Sequence, residues 1–219
     1  MIKSFKTVYQ GGTGELIEKK SRFIATVYPI QTEEEAITLI EQTKKKYYDA
    51  NHNCYAYVCG KNDEIIRCSD DGEPAKTAGR PILDVLLLEN IHNTLVIVTR
   101  YFGGTLLGTG GLVRAYQGAA KIGLEKSIII EKLYGRKVSI LTDYNGLGKL
   151  QYMIATKNIK TLNTVYTDTV ELTLLIPTHE LDSFSQELIE ATNGKVTINL
   201  LDFTYYAIMN DDLLLFENF

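Results

Sequence analysis

Long apolar stretches are missing from this sequence. No run approaches the ~18 residues that a membrane-spanning helix requires. The opening Met1-Ile2-Lys3-Ser4-Phe5-Lys6 carries no apolar segment of the kind found in a secretory leader. Cysteine is sparse: Cys54, Cys59 and Cys68 are an odd number in a chain without an export signal. A reduced, cytoplasmic protein with free thiols and no membrane partner is therefore expected. A surplus of positive charge is also missing. Twenty-three Lys and Arg stand against 27 Asp and Glu, a formal net charge of −4, and the pI is near 5.5. Coating of nucleic acid through bulk charge is excluded.

What remains is ordinary globular material. Apolar residues at 45% and charged residues at 23% exclude a disordered or collagen-like chain. The 219 residues fit one large or two modest domains. Folding such a length buries roughly two-thirds of the unfolded surface, enough for a core without staples.

Periodicity places the elements. Lys6–Tyr9 alternates as a strand, Gly11-Gly12-Thr13-Gly14 turns it, and a second extended run is expected from Glu15 to Tyr28. Thr32 and Glu35 have capping-box spacing ahead of a helix carrying Ala36, Ile37, Ile40 and Tyr47. Strands are expected at Asn53–Cys59 and Glu64–Cys68, a turn-rich loop from Ser69 to Pro81, and a helix over Ile82–Leu88. The continuous apolar run Thr94–Val98 predicts a strand covered on both faces. A glycine-rich turn and a small-residue helix from about Gly111 to Ser127 follow. After Tyr134-Gly135 the pattern restarts. A strand at Lys137–Leu141 precedes a helix at Tyr144–Lys157 and strands at Thr164–Tyr166 and Val170–Ile176. A helix bearing Leu181, Phe184, Leu188 and Ile189 stops at Asn193-Gly194, and a last strand spans Val196–Ile208. That order, β-α-β-β-α-β, is the ferredoxin-like arrangement. Domains are therefore expected at 1–134 and 135–219.

The charge divides unevenly between them. Residues 1–134 carry 17 basic and 16 acidic side chains, whereas 135–219 carry 6 and 11. Within the first part, Asn90 through Leu124 contains no acid but keeps Arg100, Arg114 and Lys121. Five of the 17 glycines, Gly103, Gly104, Gly108, Gly110 and Gly111, fall within nine residues of this stretch, between strand and helix. Glycine lets a backbone approach another molecule closely, and a helix N-terminus offers unpaired N–H groups and a positive dipole. Flanking arginines make bidentate contacts to phosphate. An anion or phosphate-backbone site is one reading; a sharp turn with close helix–sheet packing is the other. The turn is neither a P-loop, since Thr109-Gly110 stands where Lys-Ser/Thr belongs, nor a dinucleotide fingerprint, since Val113 occupies the third glycine position.

A second constellation is Cys68-Ser69-Asp70-Asp71-Gly72-Glu73-Pro74, continuing through Lys76 to Arg80-Pro81. Asp70, Asp71 and Glu73 suit a divalent cation, a turn or a protein-docking loop, and pairing of an Asp with Arg80 or Arg100 is a further reading. His52, Cys54, Cys59 and Cys68 lack the paired spacing of a zinc site, so buried thiols are the better reading. Tyr101 and Phe102 suit either base stacking or the core.

These motifs resemble the IMPACT/YigZ family. The resemblance rests on Ser69-Asp70-Asp71-Gly72-Glu73-Pro74, Thr77-Ala78-Gly79-Arg80-Pro81, Arg100-Tyr101-Phe102-Gly103-Gly104 and Leu107-Gly108-Thr109-Gly110-Gly111-Leu112-Val113-Arg114-Ala115-Tyr116. Lys19-Lys20-Ser21-Arg22-Phe23 and His52-Asn53-Cys54 match earlier signature positions, while Lys76 stands where a small residue is more usual. The resemblance implies an α+β protein with two parts. The first is an N-terminal β/α sandwich similar to the ribosomal-protein-type fold of elongation factor G domain IV. The second is a ferredoxin-like domain similar to that factor's domain V. It also implies a link to control of translation. Eukaryotic members bind an activator of a stress kinase, an activity not carried over here.

The resulting expectation is a non-enzymatic, translation-associated protein without a cofactor or resident metal. It would contact the ribosome or structured RNA through Arg80, Arg100, Gly103, Gly104, Gly108, Gly110, Gly111 and Arg114. The alternatives are a metal-assisted enzyme using Asp70, Asp71 and Glu73 on a small phosphorylated or acidic substrate, or a protein-interaction module.

Overall fold

The structure is a computed structural model that describes residues 4–60 and 63–216. Met1-Ile2-Lys3, part of the opening read above for a secretory leader, lie outside them. Contacts divide the chain into two compact units, Met1–Glu131 and Lys132–Phe219.

The first unit contains β1 (Ser4–Gln10), β2 (Thr13–Glu18), β3 (Ser21–Pro29), α1 (Glu33–Lys46), β4 (His52–Cys59) and β5 (Ile65–Ser69). After these come α2 (Gly79–Leu88), β6 (Ile91–His92), β7 (Thr94–Tyr101) and α3 (Gly108–Glu125). Five strands form an antiparallel sheet in the order β2-β3-β7-β4-β5, and β1 pairs with the short β6 in parallel. The sheet is covered on both faces, which explains why β7 reads as an unbroken apolar run. Val96 and Val98 join Phe23, Ala25, Cys54 and Ala56 in a core shared with Ile82, Leu86, Tyr116 and Ala119 of α2 and α3. Leu95 and Ile97, with the opposite parity, pack with Tyr57 and Cys59 against Ala36 and Ile40 of α1.

The helix α1 starts as its sequence predicts. Thr32 Oγ1 accepts from Glu35 N at 3.3 Å. Glu35 reaches back to accept from the backbone of Gln31 rather than of Thr32, at 2.7 Å. Glu33, Glu34 and Glu35 lie in the first turn and Lys44, Lys45 and Lys46 in the last, both favourable to the helix dipole.

Several boundaries differ from the sequence reading. The extended run from Glu15 to Tyr28 is two strands, because Lys19 and Lys20 both adopt left-handed backbone (φ 45° and 67°) and close a hairpin between Glu18 and Ser21. A Lys-Lys turn carries none of the Asn-Gly chemistry that usually marks one. Helix α2 begins at Gly79 rather than Ile82, since Pro81 is tolerated in a first turn, and α3 begins at Gly108 rather than Gly111. The strand β8 spans Ile128–Thr142, so Tyr134-Gly135 lies inside it.

The second unit continues from β8 through α4 (Tyr144–Thr156), β9 (Lys160–Tyr166), β10 (Val170–Pro177), α5 (Leu181–Ala191), β11 (Val196–Met209) and β12 (Asp212–Phe216). Strand pairing gives the antiparallel order β9-β10-β8-β11, with β12 added beyond β11. This is the expected β-α-β-β-α-β connectivity plus one edge strand that the sequence reading did not include. Val138, Ile140, Leu172, Leu174 and Ile176 meet Leu150, Phe184 and Leu188 of the two helices in one core. Asp143 caps α4 by accepting from Gly146 N at 2.7 Å. The alternating strand residues and the helically spaced apolar residues thus meet in the same core.

Candidate functional site

The three acids of the loop after β5 point into the protein, each for a different reason. The Asp70 carboxylate accepts from the backbone N–H groups of Lys76, Ala78 and Gly79 at 2.8, 3.0 and 2.9 Å, capping the start of α2. Burial works to raise its pKa, but the three N–H groups outweigh it and hold the carboxyl below the usual range. Asp71 accepts from Asn53 N at 2.7 Å and from Lys44 Nζ at 2.6 Å. The turn that permits this has left-handed backbone at Asp71 and Gly72 (φ 43° and 88°).

Glu73 is the centre of a buried network. Its Oε1 accepts from Arg100 Nη1 at 2.5 Å and from the Tyr116 hydroxyl at 2.7 Å. His52 donates through Nδ1 to the Asp71 carbonyl at 2.8 Å, and its Nε2 lies 3.9 Å from Glu73 Oε1. Cys54 Sγ is 3.0 Å from the Asp70 carbonyl and 3.4 Å from the Tyr116 hydroxyl. Burial pushes the Cys54 thiol up to about 12, with the Tyr116 contact opposing it. Burial likewise drives the Tyr116 hydroxyl far above its ordinary value, so both groups stay protonated donors. The Arg100 guanidinium lies over the rings of Phe23 and Phe102, and its Nε is buried without an acceptor among the described residues.

The register of β4 on β7 builds this arrangement, setting His52 opposite Arg100 and Asn53 opposite Thr99. Thr99 Oγ1 then donates to Asn53 Oδ1 at 2.7 Å. Tyr116 arrives from α3, two positions past Arg114.

Arg100 was expected in a phosphate-binding surface; it is instead a buried partner of Glu73. Arg80 is exposed but paired with Asp84 at 2.7 Å. Arg114 is exposed and has no acidic partner among the described residues. The glycines divide in the same way. At Gly103 a Cβ would lie 2.1 Å from the Lys20 backbone, and its N–H donates to Ser21 Oγ, so this glycine serves packing. Gly104 and Gly108 have left-handed backbone (φ 82° and 70°) with open space where a Cβ would sit. Gly110 meets only the Arg114 Nη1, at 3.6 Å, while Gly111 is close to Leu107.

The start of α3 is uncapped: Leu107 gives no side-chain bond and no acid lies in the first turn. The first N–H groups of a helix have no intrahelical acceptor, and Leu107 offers these none from its side chain. The close approach of Gly103 to Lys20 brings the exposed Lys19-Lys20 hairpin against the same loop. Phe102 and Leu106 are exposed there. Sequence reasoning missed Tyr116 and His52 as parts of one network, and Lys19-Lys20 as neighbours of the glycine turn. Strand register and the packing of α3 on the sheet bring those segments together.

Among the described residues, no group of three His, Cys, Asp or Glu side chains is placed to hold a metal ion. The thiols of Cys54 and Cys59 are buried and that of Cys68 is exposed, all three free. No helix is long and apolar enough to cross a membrane among the described residues.

Fold and site together define a two-unit α+β protein whose signature motifs converge on one buried ion network beneath an open glycine turn. The chain belongs to the IMPACT family. Residues 19–124 match the Impact N-terminal domain, and residues 140–195 match a domain of unknown function, DUF1949. The chain is similar to the IMPACT family member YvyE of Bacillus subtilis, 39% identical over 94% of each chain. It is also similar to the IMPACT family member YigZ of Escherichia coli, 33% identical over 82% of this chain and 89% of that one. Among solved structures, a hypothetical protein matches with 30% identity and a TM-score of 0.59, covering 92% of this chain and 99% of that one.

Proposed function

We propose that this is a non-enzymatic, translation-associated cytoplasmic protein that contacts the phosphate backbone of structured RNA or the ribosome through the start of α3. The observation that carries the reading is Arg114, exposed and without an acidic partner among the described residues, beside an uncapped helix start in an acid-free stretch. Lys19 and Lys20 add charge to the same surface, and the open glycines let a phosphate approach the backbone. The link to translation comes through the family, as does the kinship of the two units with domains IV and V of elongation factor G. That kinship is analogy and carries less weight than the site.

Arg100 and Gly103 drop out of this contact surface because both serve the interior, and Arg80 joins it only by leaving an exposed pair. A metal-assisted enzyme built on Asp70, Asp71 and Glu73 loses its support, since each carboxylate is already engaged by protein donors. The test is binding to ribosomes and to a structured RNA across a salt series. Arg114→Ala with Lys19→Ala and Lys20→Ala should weaken binding and flatten its salt dependence by about 0.7–0.9 log units per lost phosphate contact. Wild-type affinity in that triple variant, at unchanged stability, would sink the proposal.

A further inference from the structure

The second unit holds an arginine prepared for an acid that the described residues do not supply. The chain has six arginines. Arg22, Arg67, Arg80 and Arg100 pair with Glu15, Glu33, Asp84 and Glu73. Arg136 has no such partner among the described residues, yet its guanidinium is fixed. Its Nε donates to the Leu201 carbonyl at 2.9 Å, and the group lies 4.6 Å over the Phe203 ring. Phe203 in turn stacks on Tyr134, with centroids 5.3 Å apart and planes 6° from parallel. The side chain starts on β8 and is drawn across onto β11, and neither Nη group has a hydrogen-bond partner among the described residues. A guanidinium already held in place gives up little freedom when it binds a carboxylate in the bidentate geometry.

The neighbouring backbone is unpaired as well. On its inner side β11 pairs with β8 from Val196 to Tyr206, with a bulge between Leu200 and Phe203. On its outer side β12 covers only Tyr205–Met209. From Val196 to Leu200 no strand lies beyond β11 among the described residues. Val196, Thr197 and Ile198 have high strand propensity, and no proline blunts the edge. Register puts Leu200 and Phe203 on the same face as Arg136, and they are 51% and 49% exposed. An open edge, an apolar shelf and a free guanidinium thus adjoin one another.

We propose that this edge is a docking site for an extended segment of a partner protein. The segment adds as a strand beside Val196–Leu200, sets one carboxylate on Arg136, and lays an apolar side chain on Leu200 and Phe203. Charge selects a protein over a nucleic acid here. Residues 135–219 carry 11 acids against 6 bases, which repels a polyanion, whereas one carboxylate among apolar neighbours meets one guanidinium. The site is independent of the start of α3.

A blocked heptapeptide, acetyl-Thr-Val-Thr-Glu-Thr-Val-Thr-amide, presents Val, Glu and Val on one face and serves as the probe against the full chain. Binding should protect the amides of Val196–Leu200 from hydrogen exchange. Arg136→Glu should lose the peptide at least tenfold and gain the counterpart with Lys in place of Glu. Arg136→Lys should bind with intermediate affinity, and a melting temperature matching wild type will show that the variants fold. No peptide binding at millimolar concentration, failure of the charge swap, or protection at other amides would overturn the proposal. Displacement of the peptide by a uridine dodecamer would also overturn it, in favour of single-stranded RNA. Arg114→Ala should leave peptide binding unchanged, and a loss there counts against the site as well.

Discussion

Glu73 and Arg100 sit 2.5 Å apart with side chains only 3% and 7% exposed, and one oxygen of Glu73 also takes the Tyr116 hydroxyl. The pair joins the acidic loop to β7, and Tyr116 joins both to α3. Removing one member of such a pair strands the other charge away from water, at a cost of about 3–5 kcal/mol. Glu73→Ala and Arg100→Ala should each lose stability of that order in urea unfolding. The double substitution Glu73→Leu with Arg100→Leu should recover much of it. Equal stability of wild type and Glu73→Ala would mean that the network does not hold the loop.

Asp70 predicts a specific acid dependence. Its folded pKa is depressed, so its stabilisation is fully present above the unfolded value of about 3.9 and is lost as pH falls through the lower folded value. Asp70→Asn, which mimics the protonated side chain, should cost about 1 kcal/mol at neutral pH. That difference should shrink below about pH 4. Thermal melts of both proteins from pH 2.5 to 7 read the convergence, and a constant gap across the range would contradict the assignment.

The fold was more legible in the sequence than the site was, for a physical reason. Alternation in β10 and the helical spacing of Leu181, Phe184 and Leu188 report local burial, and local burial follows from local sequence. Which side of the sheet Arg100 faces, and what waits there, depends on the pairing of β4 with β7 and on where α3 crosses. Arg100 and Arg114 look alike as flanks of a glycine turn, yet one lies in a central strand and the other on an exposed helix turn. The β2–β3 hairpin was illegible for the opposite reason: Lys19 and Lys20 take a backbone conformation that their side chains do nothing to announce.

The thiols should separate by reactivity. Cys54 is buried and its thiol is pushed up to about 12, and burial raises Cys59 as well. Cys68 is exposed, with its pKa raised by the same cause. Because the thiolate is the reacting species, a disulfide reagent at pH 8 should modify one thiol in the native protein and three after unfolding. Cys68→Ser should abolish the native reaction. A second reactive thiol in the native state that disappears in Cys54→Ser would show that the network around Cys54 opens.

The glycine turn offers a way to separate packing from binding. A Cβ at Gly103 would overlap the Lys20 backbone, so Gly103→Ala should destabilise the first unit by several kcal/mol and displace the β2–β3 hairpin. Gly110 lies in the exposed first turn of α3, and its Cβ would touch only the flexible end of Arg114. Gly110→Ala should therefore keep or raise stability, by up to about 1 kcal/mol, because alanine favours a helix over glycine. The same methyl group would stand where, on the proposed function, a phosphate approaches the backbone. If the start of α3 binds RNA, Gly110→Ala will be at least as stable as wild type and bind RNA more weakly. Stability gained with RNA affinity unchanged would leave the glycines with a packing role alone.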